Sequence, residues 1–305
     1  MRIIKYISVF ILTAMLMTSC YEEYVKDFEY TATYFGSQKP LRTIVADDDM
    51  SFEVGVALGG LREDDGSHEV SFMVDTSLMS DIVEASAFKL LPENYYTLSN
   101  NTKFDIVKQH MRVVKVTLDP AFAADSDAIN ETYVLPLRIT DATVDSIHGL
   151  NSPDSTIADL DDLGNKDITL LVVKYISPYS GYYYVKGVQY ELGVDGSYTD
   201  TLNYSNESLS QNDAIYLETK GVNVVETERI GDNIPGTFIL TLNEDGTVSV
   251  TSDNVTIESS TVTYSADDKA FTIEAQVEYF GLRYKVEDQL ILRQDPELDL
   301  RFEEW

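Results

Sequence analysis

The chain has 305 residues, and its 52 acidic side chains outnumber 22 basic ones, for a formal net charge of −30 at pH 7. That surplus excludes a nucleic-acid partner, whose binding rests on Lys and Arg neutralising phosphates, and it repels anionic lipid headgroups. A single cysteine, Cys20, excludes an intrachain disulfide, so the fold must rest on hydrophobic cores, for which the length suffices.

The chain opens with Arg2 and Lys5, an almost wholly apolar stretch from Ile3 to Met17, and then Leu16-Met17-Thr18-Ser19-Cys20. This order is a secretory signal ending in a lipobox, and the apolar run is short for a spanning helix, which needs roughly 20 residues. A signal peptide over 1–19, cleaved before Cys20, and a diacylglycerol on the Cys20 thiol are therefore expected, as in a bacterial lipoprotein. Residues 20–27, beginning Cys20-Tyr21-Glu22-Glu23, read as a polar tether.

Alternating segments come next. Phe52, Val54, Val56 and Leu58 share one side of a strand, and Val70, Phe72 and Val74 one side of the next, with Gly59-Gly60 and Asp64-Asp65-Gly66 in the turn. Further strands are predicted at 95–98, 111–118, 133–139 and 168–175, and a short helix within 77–87, where Leu78, Ile82 and Val83 are suitably spaced. About seven strands predict an immunoglobulin-like β-sandwich over 28–176. Asp154, Asp159, Asp161, Asp162 and Asp167 crowd one loop, but an EF-hand register puts Leu163 and Leu170 where oxygen ligands are required. An ordinary solvated loop is the reading, with an irregular calcium site as the alternative; no metal or cofactor is assigned.

Ser177-Pro178 marks a joint, after which eleven of the twenty tyrosines lie. Strands are predicted at 182–187, 189–194, 214–219, 237–242, 247–251, 261–264, 271–279 and 284–293. Asp195-Gly196, Asp245-Gly246 and Asp267-Asp268 supply hairpin turns. Eight short antiparallel strands predict an all-β second domain over 177–305, either an up-and-down barrel of lipocalin-like outline or a second sandwich.

Catalytic signals are sparse. His68, His110 and His148 sit in or beside polar stretches, no Gly-x-Ser-x-Gly elbow occurs, and no His-x-x-x-His or Cys-x-x-Cys spacing offers a zinc site. A pair of carboxylates, all that a glycosidase needs, is no filter in so acidic a chain. The aromatic content carries the recognition signal, because a tyrosine offers a flat apolar body and a polar tip. Alternation along Tyr182-Tyr183-Tyr184 turns Tyr183 to the face opposite its neighbours. Tyr183, Tyr198, Tyr204 and Trp305 are the candidate sugar-stacking rings, with Asn203 and Asn206 as polar partners.

The segments Val70-Ser71-Phe72-Met73-Val74-Asp75, Leu91-Pro92-Glu93-Asn94-Tyr95-Tyr96-Thr97-Leu98 and Tyr133-Val134-Leu135-Pro136-Leu137-Arg138-Ile139 together resemble a module found at the N-terminus of lipoproteins from Sus-type glycan-uptake systems. The succession is also similar to Calx-beta domains and to the module preceding some family-18 surface endoglycosidases. The chain beyond Pro178 lacks the Asp-x-x-Asp-x-Asp-x-Glu strand of those enzymes and is too short for their barrel. It resembles the small β-domain that ends non-catalytic members, with Gly181-Tyr182-Tyr183-Tyr184 opening it and Leu290-Ile291-Leu292-Arg293 closing it. Glu22-Glu23 after Cys20 is similar to the signal that exports such lipoproteins to the outer face of the outer membrane. The resemblance implies a non-catalytic glycan-binding lipoprotein beside a TonB-dependent transporter and neighbouring surface lipoproteins, held to the membrane by lipid alone. An adhesive protein with a protein partner, or an unrecognised hydrolase, are the alternatives.

Overall fold

The computed structural model describes residues 30–47, 49–82, 84–149 and 166–305. The signal segment, the tether with Cys20 and Glu22-Glu23, and the acidic loop from Asp154 to Asp162 lie outside these residues. The first unit is a sandwich of two sheets. One sheet holds β1 (Ala32–Phe35), β3 (Ser51–Gly59), β6 (Tyr96–Leu98), β7 (Ile106–Lys108), β8 (Met111–Leu118) and β10 (Ser146–Ile147), in the order β10-β1-β3-β8-β6 with β7 also on β8. The other holds β2 (Pro40–Val45), β4 (Val70–Val74), β5 (Lys89–Leu90), β9 (Tyr133–Ala142), β11 (Ile168–Ile176) and β21 (Glu303–Glu304), in the order β21-β2-β11-β9-β4 with β5 on β9.

Strand β11 explains why the sandwich carries a third layer. It is apolar on both faces, as strands covered on both sides must be. Leu171, Val173 and Tyr175 meet the core between the sheets. Ile168, Leu170 and Val172 face away, toward Leu78, Ile82, Ala85 and the half-buried Trp305. The predicted helix within 77–87 is therefore a lid on that outer face, split into Leu78–Asp81 and a 3-10 turn Glu84–Ala87. A bidentate ion pair between the buried side chains of Arg112 and Asp64 bridges β8 to the β3–β4 loop. Arg112 Nε also donates to the His68 carbonyl at 2.7 Å, and the His110 amide donates to Asp64 at 3.0 Å. The Arg112 hydrogen bond holds the Asp64 carboxyl well below its ordinary range despite burial.

The second unit is a closed eight-stranded barrel, not a second sandwich. Strands β12 (Gly181–Leu192), β14 (Ala214–Gly221), β15 (Val224–Ile230), β16 (Ile234–Leu242), β17 (Val248–Ser252), β18 (Thr256–Ser265), β19 (Ala270–Tyr279) and β20 (Leu282–Leu292) follow one another around the wall. A ten-residue ladder from Tyr183–Leu292 to Leu192–Arg283 closes β12 on β20. The two predicted strands 182–187 and 189–194 are one continuous strand, β12. The eighth place goes to β15, whose charged sequence Glu226-Thr227-Glu228-Arg229 hides its alternation. A further short strand, β13 (Tyr198–Asn203), pairs with the far half of β12 on the edge that β14 leaves free.

The lipocalin-like outline does not extend to a hollow interior. Tyr183, Phe238, Leu240, Phe271, Ile273 and Val286 are among the fully buried side chains that fill it, as in other small barrels packed with side chains. At the joint, Ser177 is buried, its amide donating to Thr219 Oγ1 at 2.9 Å and its hydroxyl to the Val222 carbonyl at 2.7 Å. The expected 177–305 domain also gives up its end: after β20 the chain returns to the sandwich, where β21 pairs with β2.

Candidate functional site

The predicted rings separate by strand parity. Along β12 the odd residues point inward, so Tyr183 is wholly buried and its hydroxyl donates to the Tyr179 carbonyl at 3.0 Å. It is a core ring rather than a sugar platform, and burial raises its phenol pKa. Its neighbour Tyr182 is the one in solvent.

Tyr204 is also turned inward. Its hydroxyl donates to Asp288 Oδ1, and Asp288 Oδ2 accepts the Gly231 amide at 2.7 Å. Gln189 completes the cluster, donating to Asn233 at 2.8 Å and accepting from the Asp232 amide at 3.1 Å. This arrangement needs Gly187, since a β-carbon there would lie 2.5 Å from both Asp288 Oδ1 and the Tyr204 hydroxyl. Burial pushes the Asp288 carboxyl up to about 6 although both of its donors favour the charged form.

Asn206 is a turn residue, its amide donating to Asn212 at 2.8 Å and its side chain to the Gln211 carbonyl. Trp305 lies on the first domain, not the second. Its indole N–H donates to the Leu170 carbonyl at 2.8 Å, its amide to the Lys39 carbonyl, and its ring meets the Phe88 edge at 4.6 Å.

Tyr198 and Asn203 remain, both on β13 and both in solvent. Tyr198 stacks on Tyr190 of β12, with ring centroids 4.4 Å apart and planes 20° apart. Lys285 of β20 places its ammonium 5.8 Å from the Tyr190 centroid. Register extends this corner into a wall. One row runs Thr201, Tyr190, Lys285, Gln276, Ser259, and the next runs Asn203, Val188, Glu287, Glu274, Thr261. Five neighbouring strands spaced about 4.8 Å apart give a span of about 19 Å. The wall is concave over Lys186, Glu274, Glu287 and Gln289, a cleft of about 450 Å³ with Asp288 at its base.

Electrostatics within the wall is mixed. Glu274 and Glu287 stand directly opposite each other, which costs a few tenths of a kcal/mol or more in a sheet. Lys285 pairs with Glu287, and that hydrogen bond, with the Glu287 charge, raises the lysine pKa. Glu274 has no cation within 4 Å among the described residues. The result is a shallow, hydroxyl- and amide-rich concave surface edged by an aromatic stack, able to hydrogen-bond a polar chain and to cover one apolar face of it. A larger open cleft of about 690 Å³ beside Ser252, Asp253 and Asn254 has no aromatic ring in its lining. Among the described residues no three His, Cys, Asp or Glu side chains gather as a metal site requires.

Tyr190 is a site residue absent from the rings that the sequence pattern singles out. It sits at an even position of β12, eight residues from Tyr182, but its outward direction emerges only once the inward side is known.

A family model of an N-terminal domain matches residues 26–146. The solved structure of a Bacteroides ovatus protein of unknown function shares the fold across both units, with a TM-score of 0.67 and 24% identity over 87% of this chain and 95% of that one. A multidomain B. ovatus protein including DUF1735 aligns over 90% of this chain and all of its own, at 14% identity and a TM-score of 0.40. No curated protein matches the chain.

Proposed function

We propose that this protein is a non-catalytic, lipid-anchored surface protein that binds oligo- or polysaccharide on the outer wall of its barrel, within a Sus-type glycan-uptake system. The observation that carries the reading is the Tyr190–Tyr198 stack at the edge of a polar, concave wall. Neither ring is consumed by the core, and stacked rings held by a two-strand ladder lose little freedom on binding. The lipobox at Cys20 and the acidic Glu22-Glu23 support anchoring at the outer membrane with the barrel facing outward. Asp288, the carboxylate that burial raises to about 6, is engaged by Tyr204 and Gly231 and has a structural task, which supports binding without turnover.

The exposed Val194, Phe280 and Leu282 at adjoining hairpin tips favour a protein partner as the second reading, either a transporter or a neighbouring lipoprotein. The test is affinity electrophoresis of the mature protein against a polysaccharide panel. Retention by at least one glycan is expected, weakened about fivefold by Tyr198→Ala or Tyr190→Ala, since one stacked ring contributes on the order of 1 kcal/mol. Absence of retention across the panel at millimolar sugar would replace glycan binding with the adhesive reading. Radiolabelled fatty acid should enter the wild type and not Cys20→Ala, and equal labelling of both would refute the anchor.

A further inference from the structure

The outward stripe of β12 carries a second aromatic pair at its opposite end. Tyr182 meets Tyr216 of β14 edge to face, with centroids 5.0 Å apart, and Arg293, just past β20, lies 5.4 Å from the Tyr182 ring. Both tyrosines are more than two-fifths exposed, and the Ser180 hydroxyl holds the Tyr216 hydroxyl at 3.4 Å. Each end of the stripe is thus built alike: two tyrosines from neighbouring strands, plus a cation from the β20 side. Eight residues separate Tyr182 from Tyr190, about 26 Å of strand at roughly 3.3 Å per residue. The spacing is rigid, because β12 is paired with β20 along its whole length between them. The cleft over Lys186, Glu274 and Glu287 lies between the two pairs.

We infer that the Tyr182–Tyr216 pair is a second sugar platform, and that the ligand is an extended, neutral polysaccharide running along β12 and bridging both pairs. This rests on the glycan reading above. The neutral class comes from the middle of the path, where Glu274 stands opposite Glu287 with no cation within 4 Å of it among the described residues. Glu287 is already paired with Lys285, and Lys186 lines the same cleft. Two carboxylates and two ammoniums leave no surplus cation there to hold uronates or sulfates, which the field of a chain carrying −30 overall repels, while all four groups hydrogen-bond to hydroxyls. A single platform contributes little affinity. A chain long enough to reach the second gains its contact without a second loss of translational freedom.

The experiment uses the full mature protein. Affinity electrophoresis against soluble starch, xyloglucan, galactomannan and levan, with pectin as the anionic comparison, identifies a retained polymer. Calorimetry then tracks the matching oligosaccharides from disaccharide to about octasaccharide. Affinity should step up about fivefold or more once the chain reaches the roughly 26 Å between the pairs. In the Tyr182→Ala/Tyr216→Ala double variant that step should vanish while short oligosaccharides bind as to wild type. The Tyr182→Phe/Tyr216→Phe variant keeps the rings and should keep the step, which separates platform loss from misfolding. A retained polymer with no length step, or a step that survives the alanine changes, overturns the second platform and leaves glycan binding standing. Stronger retention by pectin than by any neutral polymer overturns the ligand class. Retention by none of the five overturns the glycan reading and this inference together.

Discussion

Replacement of Asp288 by Asn tests the polar cluster inside the barrel wall. Asp288 is 2% exposed, and burial raises its carboxyl from an ordinary 3.8 to about 6. A group whose pKa is higher in the folded state stabilises the fold at low pH, and that contribution is lost as pH rises through about 6. The separation corresponds to about 3 kcal/mol, at 1.36 kcal/mol per pH unit. Asn keeps the shape, accepting the Gly231 amide through its oxygen and donating to the Tyr204 hydroxyl, but never carries the buried charge. Urea melts from about pH 4 to about pH 8 at fixed ionic strength, monitored by far-ultraviolet circular dichroism, should show Asp288→Asn gaining on wild type by about 2 to 3 kcal/mol as pH rises. A stability difference that stays constant across the range would refute the argument. It would mean that the two donors hold Asp288 ionised at both ends.

Three further changes address the rest of the molecule. Arg112→Met should cost about 3 to 5 kcal/mol in denaturant melts by leaving Asp64 buried without its partner, and adding Asp64→Asn should restore most of it; no recovery would place the loss elsewhere. Trp305→Ala should destabilise the sandwich, not the barrel, by about 2 kcal/mol, and emission from this only tryptophan should track sandwich unfolding in the wild type; a melt unchanged by the substitution would contradict the seat on Leu170 and Phe88. Phe280 sits at φ 49° ahead of Gly281 at φ 77°, a hairpin turn that favours Asn-Gly, so Phe280→Asn should stabilise by about 1 kcal/mol in thermal melts; a loss of stability would show that the exposed ring packs in a way its neighbour Tyr279 does not account for.

Much of this was legible in the sequence. Phe271, Ile273, Ala275 and Val277 alternate with polar residues, and that period of two belongs to a strand with one wet face wherever it sits. Asp195-Gly196 and Asp245-Gly246 turn where Gly196 and Gly246 take positive φ, because their chemistry is local. Pattern also placed Tyr183 opposite Tyr182 and Tyr184. Which of the two sides faced water was not a local property: it depended on β12 closing against β20, about a hundred residues away, and so on the sign of the barrel's curvature. Trp305 was misplaced for the same reason, since nothing near Glu303-Glu304 says that an apolar slot on β11, far back in the chain, needs covering. Strand periodicity and turns arise from neighbouring residues, whereas burial, barrel closure and the meeting of Tyr190 with Tyr198 arise from distant strands competing to remove apolar surface from water. Only the tertiary structure records which of them won.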